Sequence, residues 1–192
     1  MIFLAQNRFL ETISKQKIGE EYELRIEKHE LANGRTFNYH VFNLPHFAII
    51  IPKIGEDKYV LIKQYRPSWR RIAIEFPAGV AEGFDEKPEV TAARELEEET
   101  GYVAGNLDFI GKFRHTSRST QFCHSYVATK LNMVGQKLDE GEYIEELIEV
   151  SAEDIEHFIT TGEMIDISHI ATWYRYKQLA GTNGRFHMEE EH

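Results

Sequence analysis

Apolar and charged residues alternate through Tyr22, Leu24 and Ile26, and the alternation returns at Phe37, Tyr39 and Val41, with Asn33-Gly34 between the two runs. A period of two around an Asn-Gly step predicts a β-hairpin closed by a two-residue turn. A second hairpin is predicted where Phe47–Ile51 and Tyr59–Ile62 flank the polar Gly55-Glu56-Asp57, and Ile72–Phe76 adds a short strand before Pro77. The spacing then changes to three: Val90, Ala93 and Leu96 predict a helix over 89–100, with Pro88 at its first turn and Gly101 as its stop. Leu107–Phe113 and Phe122–Leu131 read as strands, the acid-rich 139–149 stretch as a solvated loop and helix start. Ser151 and Ser168 each head a helix, closed by Gly162 and Gly181. Strands, one central helix, more strands and two terminal helices predict a mixed sheet covered by helices.

Composition narrows the class. The 192 residues are 42% hydrophobic and 12% aromatic, too apolar for a disordered chain, and the size suits a single core. The longest purely apolar run is Phe47 to Ile51, far below the roughly 20 residues that span a bilayer, so no membrane contact is expected. The first residues, Met1 to Arg8, break off their apolar run before a signal-peptide core is complete, which predicts a cytoplasmic location. Cys123 is the one cysteine, so neither an intrachain disulfide nor a thiolate zinc cage can form.

Net charge is −10, which argues against a duplex nucleic acid as partner, because neutralised phosphates supply most of that affinity. Its distribution is more informative. Eight acids fall in 82–100 and nine in 139–156, whereas Lys58, Lys63, Arg66, Arg70 and Arg71 come without an intervening acid. Acidic clusters beside basic ones suit a metal ion together with an anionic ligand.

The chemistry concentrates in Phe76-Pro77-Ala78-Gly79 through Gly101-Tyr102. On a helix, Glu95, Glu98 and Glu99 fall within about 100° of one another. Like charges at that spacing repel by a few tenths of a kcal/mol per pair, and Arg94 offsets only part of it. Three glutamates on a helix are ordinarily a solvated face, but a face of oxygen ligands also suits a hard divalent ion, Mg²⁺ or Mn²⁺.

The wider pattern favours the second reading. It resembles the signature of the Nudix hydrolases, Gly-x5-Glu-x7-Arg-Glu-U-x-Glu-Glu-x-Gly-U, in which U is a bulky aliphatic or aromatic residue. Glu86, Arg94-Glu95, Leu96, Glu98-Glu99, Gly101 and Tyr102 match in place, while six residues separate Gly79 from Glu86, one more than the signature has. Gln64-Tyr65-Arg66 and Glu75-Phe76-Pro77-Ala78-Gly79 are similar to the ADP-sugar pyrophosphatase branch. The resemblance implies an α/β (α+β) fold, an α/β/α sandwich with a mixed sheet and an N-terminal antiparallel β extension. It implies three segments: a β extension and dimer arm over 1–43, a Nudix domain over 44–181 and a mobile tail over 182–192. A homodimer follows from the same likeness.

The resemblance also assigns roles. Glu95, Glu98, Glu99 and the Ala78 carbonyl would hold Mg²⁺ or Mn²⁺, while Gly79, Glu86, Arg94 and Gly101 would support the loop and helix. From their own chemistry, Arg66 is a candidate for the diphosphate and Arg118 for phosphate or ribose, with an exposed cation of no such role as the alternative for each, and Glu75 is a further substrate candidate. The implied reaction is metal-dependent hydrolysis of a nucleoside diphosphate sugar, ADP-ribose first, to a nucleoside monophosphate and a sugar phosphate. GDP-mannose or another nucleoside diphosphate compound is the alternative substrate. Relatives often carry a glutamate base where this chain has Gln121, which cannot take a proton. The base would then be Glu98 or an acid of the 139–149 stretch, Glu140, Glu142 or Glu145. Gln121 equally leaves room for a catalytically weak nucleotide-sugar sensor.

Overall fold

The structure of the protein, a computed structural model, describes residues 6–18, 22–137 and 144–181. Ten strands and three helices follow in the order β1 (Arg8–Ile18), β2 (Tyr22–Glu30), β3 (Thr36–Asn43), β4 (Phe47–Gly55), β5 (Lys58–Arg66), β6 (Arg71–Glu75), β7 (Ala78–Val80), α1 (Pro88–Thr100), β8 (Tyr102–Arg114), β9 (Phe122–Met133), β10 (Ile144–Val150), α2 (Ala152–Thr161) and α3 (Ile167–Gly181). They group into two compact units. The first holds residues up to Pro45 together with Arg114–Phe122, the second His46–Phe113 and the chain from Cys123 onward.

In the first unit β1, β2 and β3 form an antiparallel sheet. β1 had no clear period in the sequence; it is an exposed edge strand whose pairing shifts register twice, at Phe9/Glu11 and Thr12/Ser14. The β2–β3 connection departs from the expected two-residue turn. Leu31 N donates to the Arg35 carbonyl and Gly34 N to that of Leu31, a three-residue loop in which Gly34 takes φ +81. Gly34 thus supplies the left-handed residue that such a loop needs. Arg114–Phe122 lies along β3, with Phe42 N donating to the Arg118 carbonyl and Thr120 N to that of Phe42.

The second unit is a mixed sheet in the order β10-β5-β4-β9-β8, with β6 on β5 and β7 on β4. β4 pairs parallel with β9 and antiparallel with β5. The unbroken apolar run of β4 follows from burial on both faces. Ile49 and Ile51 point into a cluster with Leu61, Phe76, Ile155 and Trp173, whereas Ala48 and Ile50 meet Ala92 and Leu96 of α1. Helices therefore cover the sheet on its two sides, giving an α/β/α sandwich.

Two further expectations are corrected here. Residues 144–150 are a strand rather than a solvated loop: β10 pairs antiparallel with β5, and its acids meet the bases of that strand in the Lys63–Glu146 and Lys58–Glu149 pairs. Ser168 does not head α3; it is buried, and its N–H donates to Asp166 Oδ1 at 2.6 Å, so Asp166 satisfies the helix start. Ser151 caps α2 through a reciprocal capping box with Asp154. The expected 182–192 tail lies outside the described residues.

Candidate active site

α1 starts at Pro88, where the missing N–H costs nothing, and stops at Gly101, which takes φ +73. A Cβ on Gly101 would sit 2.7 Å from the Gly135 carbonyl carbon and the Gln136 N, so glycine is required on two counts. The residues after β9 close the helix: Val134 N and Gly135 N donate to the Gly101 carbonyl, and Lys137 N to that of Glu98. Ala92 and Leu96, four apart, are buried against β4, and the adjacent stripe of Glu95 and Glu99 is buried as well. Two carboxylates without water around them need partners.

The loop Ala78–Val80 and Arg94 provide them. Ala78 N donates to Glu99 Oε2 at 2.7 Å. Glu95 lies against Gly79 so closely that a Cβ there would be 2.0 Å from its Cδ and Oε1. The Arg94 guanidinium donates to Glu95 Oε1 at 2.8 Å, Glu98 Oε2 at 2.9 Å and the Val80 carbonyl at 3.0 Å, and stands 3.5 Å from Glu86 Oε2. Burial alone would lower the Arg94 pKa, but Glu95, Glu98 and Glu86 outweigh it and hold it above its ordinary value. Burial would likewise raise the Glu86 carboxyl; hydrogen bonds from Thr91 and Glu82 N, with Arg94 beside them, bring it below the usual range.

Ala78, Gly79, Glu86, Arg94, Glu95, Glu98 and Glu99 are thus brought together. Among the described residues no three His, Cys, Asp or Glu side chains are gathered as a ready-made metal cage, and Arg94 bridges Glu95 and Glu98. The donor set nevertheless fits a hard divalent ion. It offers oxygen only, on a face whose like charges a guanidinium neutralises in part, beside a glycine that leaves room for one carboxylate at the backbone.

The predicted substrate residues lie in separate settings. Glu75, 1% exposed, takes Arg66 Nε at 2.9 Å and Nη2 at 2.6 Å on its Oε2, while its buried Oε1 has no hydrogen-bond partner. Gln64 Oε1 on β5 is orphaned in the same way. Phe76 N donates to His169 Nδ1 at 3.2 Å, and burial above all lowers the His169 pKa. Arg118 belongs to the first unit, its guanidinium 4.8 Å from the Tyr39 ring centre. Gln121, also in that unit, donates to the Pro45 carbonyl at 2.8 Å. Glu142 lies outside the described residues. Sequence spacing gave no sign that His46 meets Thr91, 45 residues further along the chain.

Residues 44–183 match the NUDIX domain family. The chain belongs to the Nudix family. The ADP-ribose pyrophosphatase of Bacillus subtilis (strain 168) is 36% identical over 161 residues, covering 81% of this chain and 85% of its own length. A methanol dehydrogenase activator from Bacillus methanolicus is 33% identical over 162 residues, with the same coverage of 81% and 85%. A crystal structure of an ADP compounds hydrolase shares the fold, with a TM-score of 0.78 at 20% identity, over 96% of this chain and 100% of that one. α1, with Glu95, Glu98 and Glu99 along it, lies within the matched residues.

Proposed function

We propose that this Nudix protein is a divalent-metal-dependent pyrophosphohydrolase that splits the diphosphate of a nucleoside diphosphate sugar, ADP-ribose first, into a nucleoside monophosphate and a sugar phosphate. The observation that carries this is the Glu95–Glu98–Glu99 face, gathered by Arg94 against the Ala78–Val80 loop. The Bacillus subtilis relative, named an ADP-ribose pyrophosphatase, supports the choice of substrate.

Glu95, Glu98, Glu99 and the Ala78 carbonyl would hold the ion, Mg²⁺ or Mn²⁺. When bound there, it withdraws charge from the diphosphate and makes a water more acidic. The chain's own residues do the positioning. The Ala78 N–H fixes one oxygen of Glu99, and Arg94 ties the Val80 carbonyl to the helix, so the loop cannot drift from the acids. Glu98 is the least buried of the three acids and accepts the water's proton, with Glu142 as the second candidate. The orphaned Glu75 Oε1 accepts a substrate hydroxyl, since a buried acceptor without a donor costs about 1–3 kcal/mol until one arrives. Arg66, in the same pair, is assigned to the diphosphate.

A homodimer through residues 1–43 belongs to the same proposal. Its support is the exposure of Phe9, Ile13, Ile18 and Phe37 on the three-stranded sheet. A chain with one cysteine forms no intrachain disulfide, which suits a reducing compartment, and we place the protein in the cytoplasm. No described helix is long and apolar enough to cross a membrane.

The test is release of nucleoside monophosphate from ADP-ribose, GDP-mannose and UDP-glucose with Mg²⁺, Mn²⁺ or EDTA. Turnover that EDTA abolishes is expected, and Glu99→Gln should lower kcat by roughly 10²-fold or more without unfolding, since its amide oxygen still accepts from Ala78 N. ADP-ribose bound tightly without turnover would overturn the hydrolase in favour of a sensor.

A further inference from the structure

Two residues outside the acidic face reach it from behind. His46 stands immediately before β4, and Thr91 is wholly buried in the first turns of α1. Thr91 Oγ1 lies 2.7 Å from Glu86 Oε2 and 3.1 Å from His46 Nε2. A hydroxyl has one hydrogen to give. The Glu86 carboxylate can only accept, and at 2.7 Å it takes that hydrogen in preference to the Lys87 carbonyl at 3.4 Å. His46 must then be the donor to Thr91, which places a proton on its Nε2. The bonds run one way, from His46 Nε2–H to Thr91 Oγ1–H to Glu86 Oε2.

Glu86 is the junction. Its Oε2 also accepts from Glu82 N at 3.0 Å and lies 3.5 Å from Arg94, the residue that holds Glu95 and Glu98. His124 meets the His46 ring edge-on at 5.3 Å between centres, and burial first, with Lys112 and His46 adding to it, lowers its pKa to about 4.

We propose that His46 and Thr91 are positioning residues that lock Glu86 and, through Arg94, set the rotamers of Glu95 and Glu98 for metal binding and hydrolysis. This rests on the metal-dependent reading above. A locked second layer of hydrogen bonds is what keeps ligand carboxylates in register.

Thr91→Val keeps the shape and removes the hydroxyl, whereas Thr91→Ser keeps the hydroxyl. Mn²⁺ affinity measured by calorimetry should weaken about tenfold in Thr91→Val, and kcat for ADP-ribose should fall by a similar factor at unchanged KM. Thr91→Ser should restore both. His46→Phe should repeat the loss, His46→Gln should recover part of it, and Thr91→Val with His46→Phe should be no worse than Thr91→Val alone, as expected of one chain. Nitrogen-15 NMR of the unaltered protein should show the His46 proton on Nε2. Wild-type Mn²⁺ affinity in Thr91→Val, a Thr91→Ser as poor as the valine, additive losses, or a proton on Nδ1 alone would each overturn the relay. Absence of ADP-ribose turnover in the unaltered protein would sink the substrate reading instead, and the Mn²⁺ affinities and the His46 proton would still decide the relay. The His46 pair of variants serves if Thr91→Val does not fold.

Discussion

Gly79 and Glu95 are so close that a methyl group on the first would lie 2.0 Å from the carboxylate carbon of the second. The glycine gives up its side chain so that a buried acid can touch the backbone of the opposite loop. A carboxylate held in that way has little freedom to turn.

Gly79→Ala should therefore damage the site more than the fold. Either Glu95 swings out or the loop lifts, and a misplacement of about 1 Å in such a site costs on the order of 10²-fold in rate. The strain should cost about 1–3 kcal/mol of stability. Steady-state kinetics and a thermal melt on the same sample check both; wild-type kcat in Gly79→Ala would show that the contact does not constrain Glu95.

The Arg66–Glu75 pair makes a prediction about stability. Glu75 is almost wholly buried, so Arg66→Met leaves its charge without a partner, which costs about 3 kcal/mol, less whatever solvent already reaches the half-buried arginine. For a chain of this size the melting midpoint should fall by roughly 5–10 °C. Adding Glu75→Gln removes the stranded charge and should recover much of the loss. Equal midpoints for the single and double variants would show that the buried charge is not what destabilises.

His124 makes the chain sensitive to mild acid. Its pKa is about 4 in the folded protein against an ordinary 6.5, with burial as the main cause. The unfolded chain then binds the proton first, so stability is fully present above about pH 6.5 and is lost as pH falls toward 4. Replacing it by Gln should reduce the slope of the melting midpoint against pH between about 6.5 and 4.5, the range above the carboxyl titrations, leaving the part that His169 contributes. An unchanged slope would mean that His124 takes up no extra proton on unfolding.

The relation between chain and fold differs from element to element. α1 was legible because its end signals are local, Pro88 starting it and Gly101 stopping it, but of the expected apolar stripe only Leu96 is buried: Val90 and Ala93 are exposed, and Ala92 packs in their place. The gathering of Glu95, Glu98 and Glu99 on one face followed from the helical period alone. The capping of α2 by Ser151 was legible too, since the cap and its partner Asp154 are three residues apart.

β1 and β10 were not legible, for a physical reason. An edge strand has one neighbour and half its surface in water, so its composition is that of a loop until the partner strand is known. The acids of β10 find Lys58 and Lys63 only once β5 lies beside it. The site divides along the same line. Sequence by itself determined the family pattern, the acidic helix face and the chemistry that three carboxylates allow. Only the tertiary structure decided that Ala78 N holds Glu99, that Arg94 spans from Val80 to Glu98, that Gln121 is spent on the Pro45 carbonyl, and that His46 reaches Thr91 across 45 residues of chain. Each of those is a hydrogen bond of one donor to one acceptor over a few ångströms, and no periodicity along the chain encodes where a distant donor will arrive.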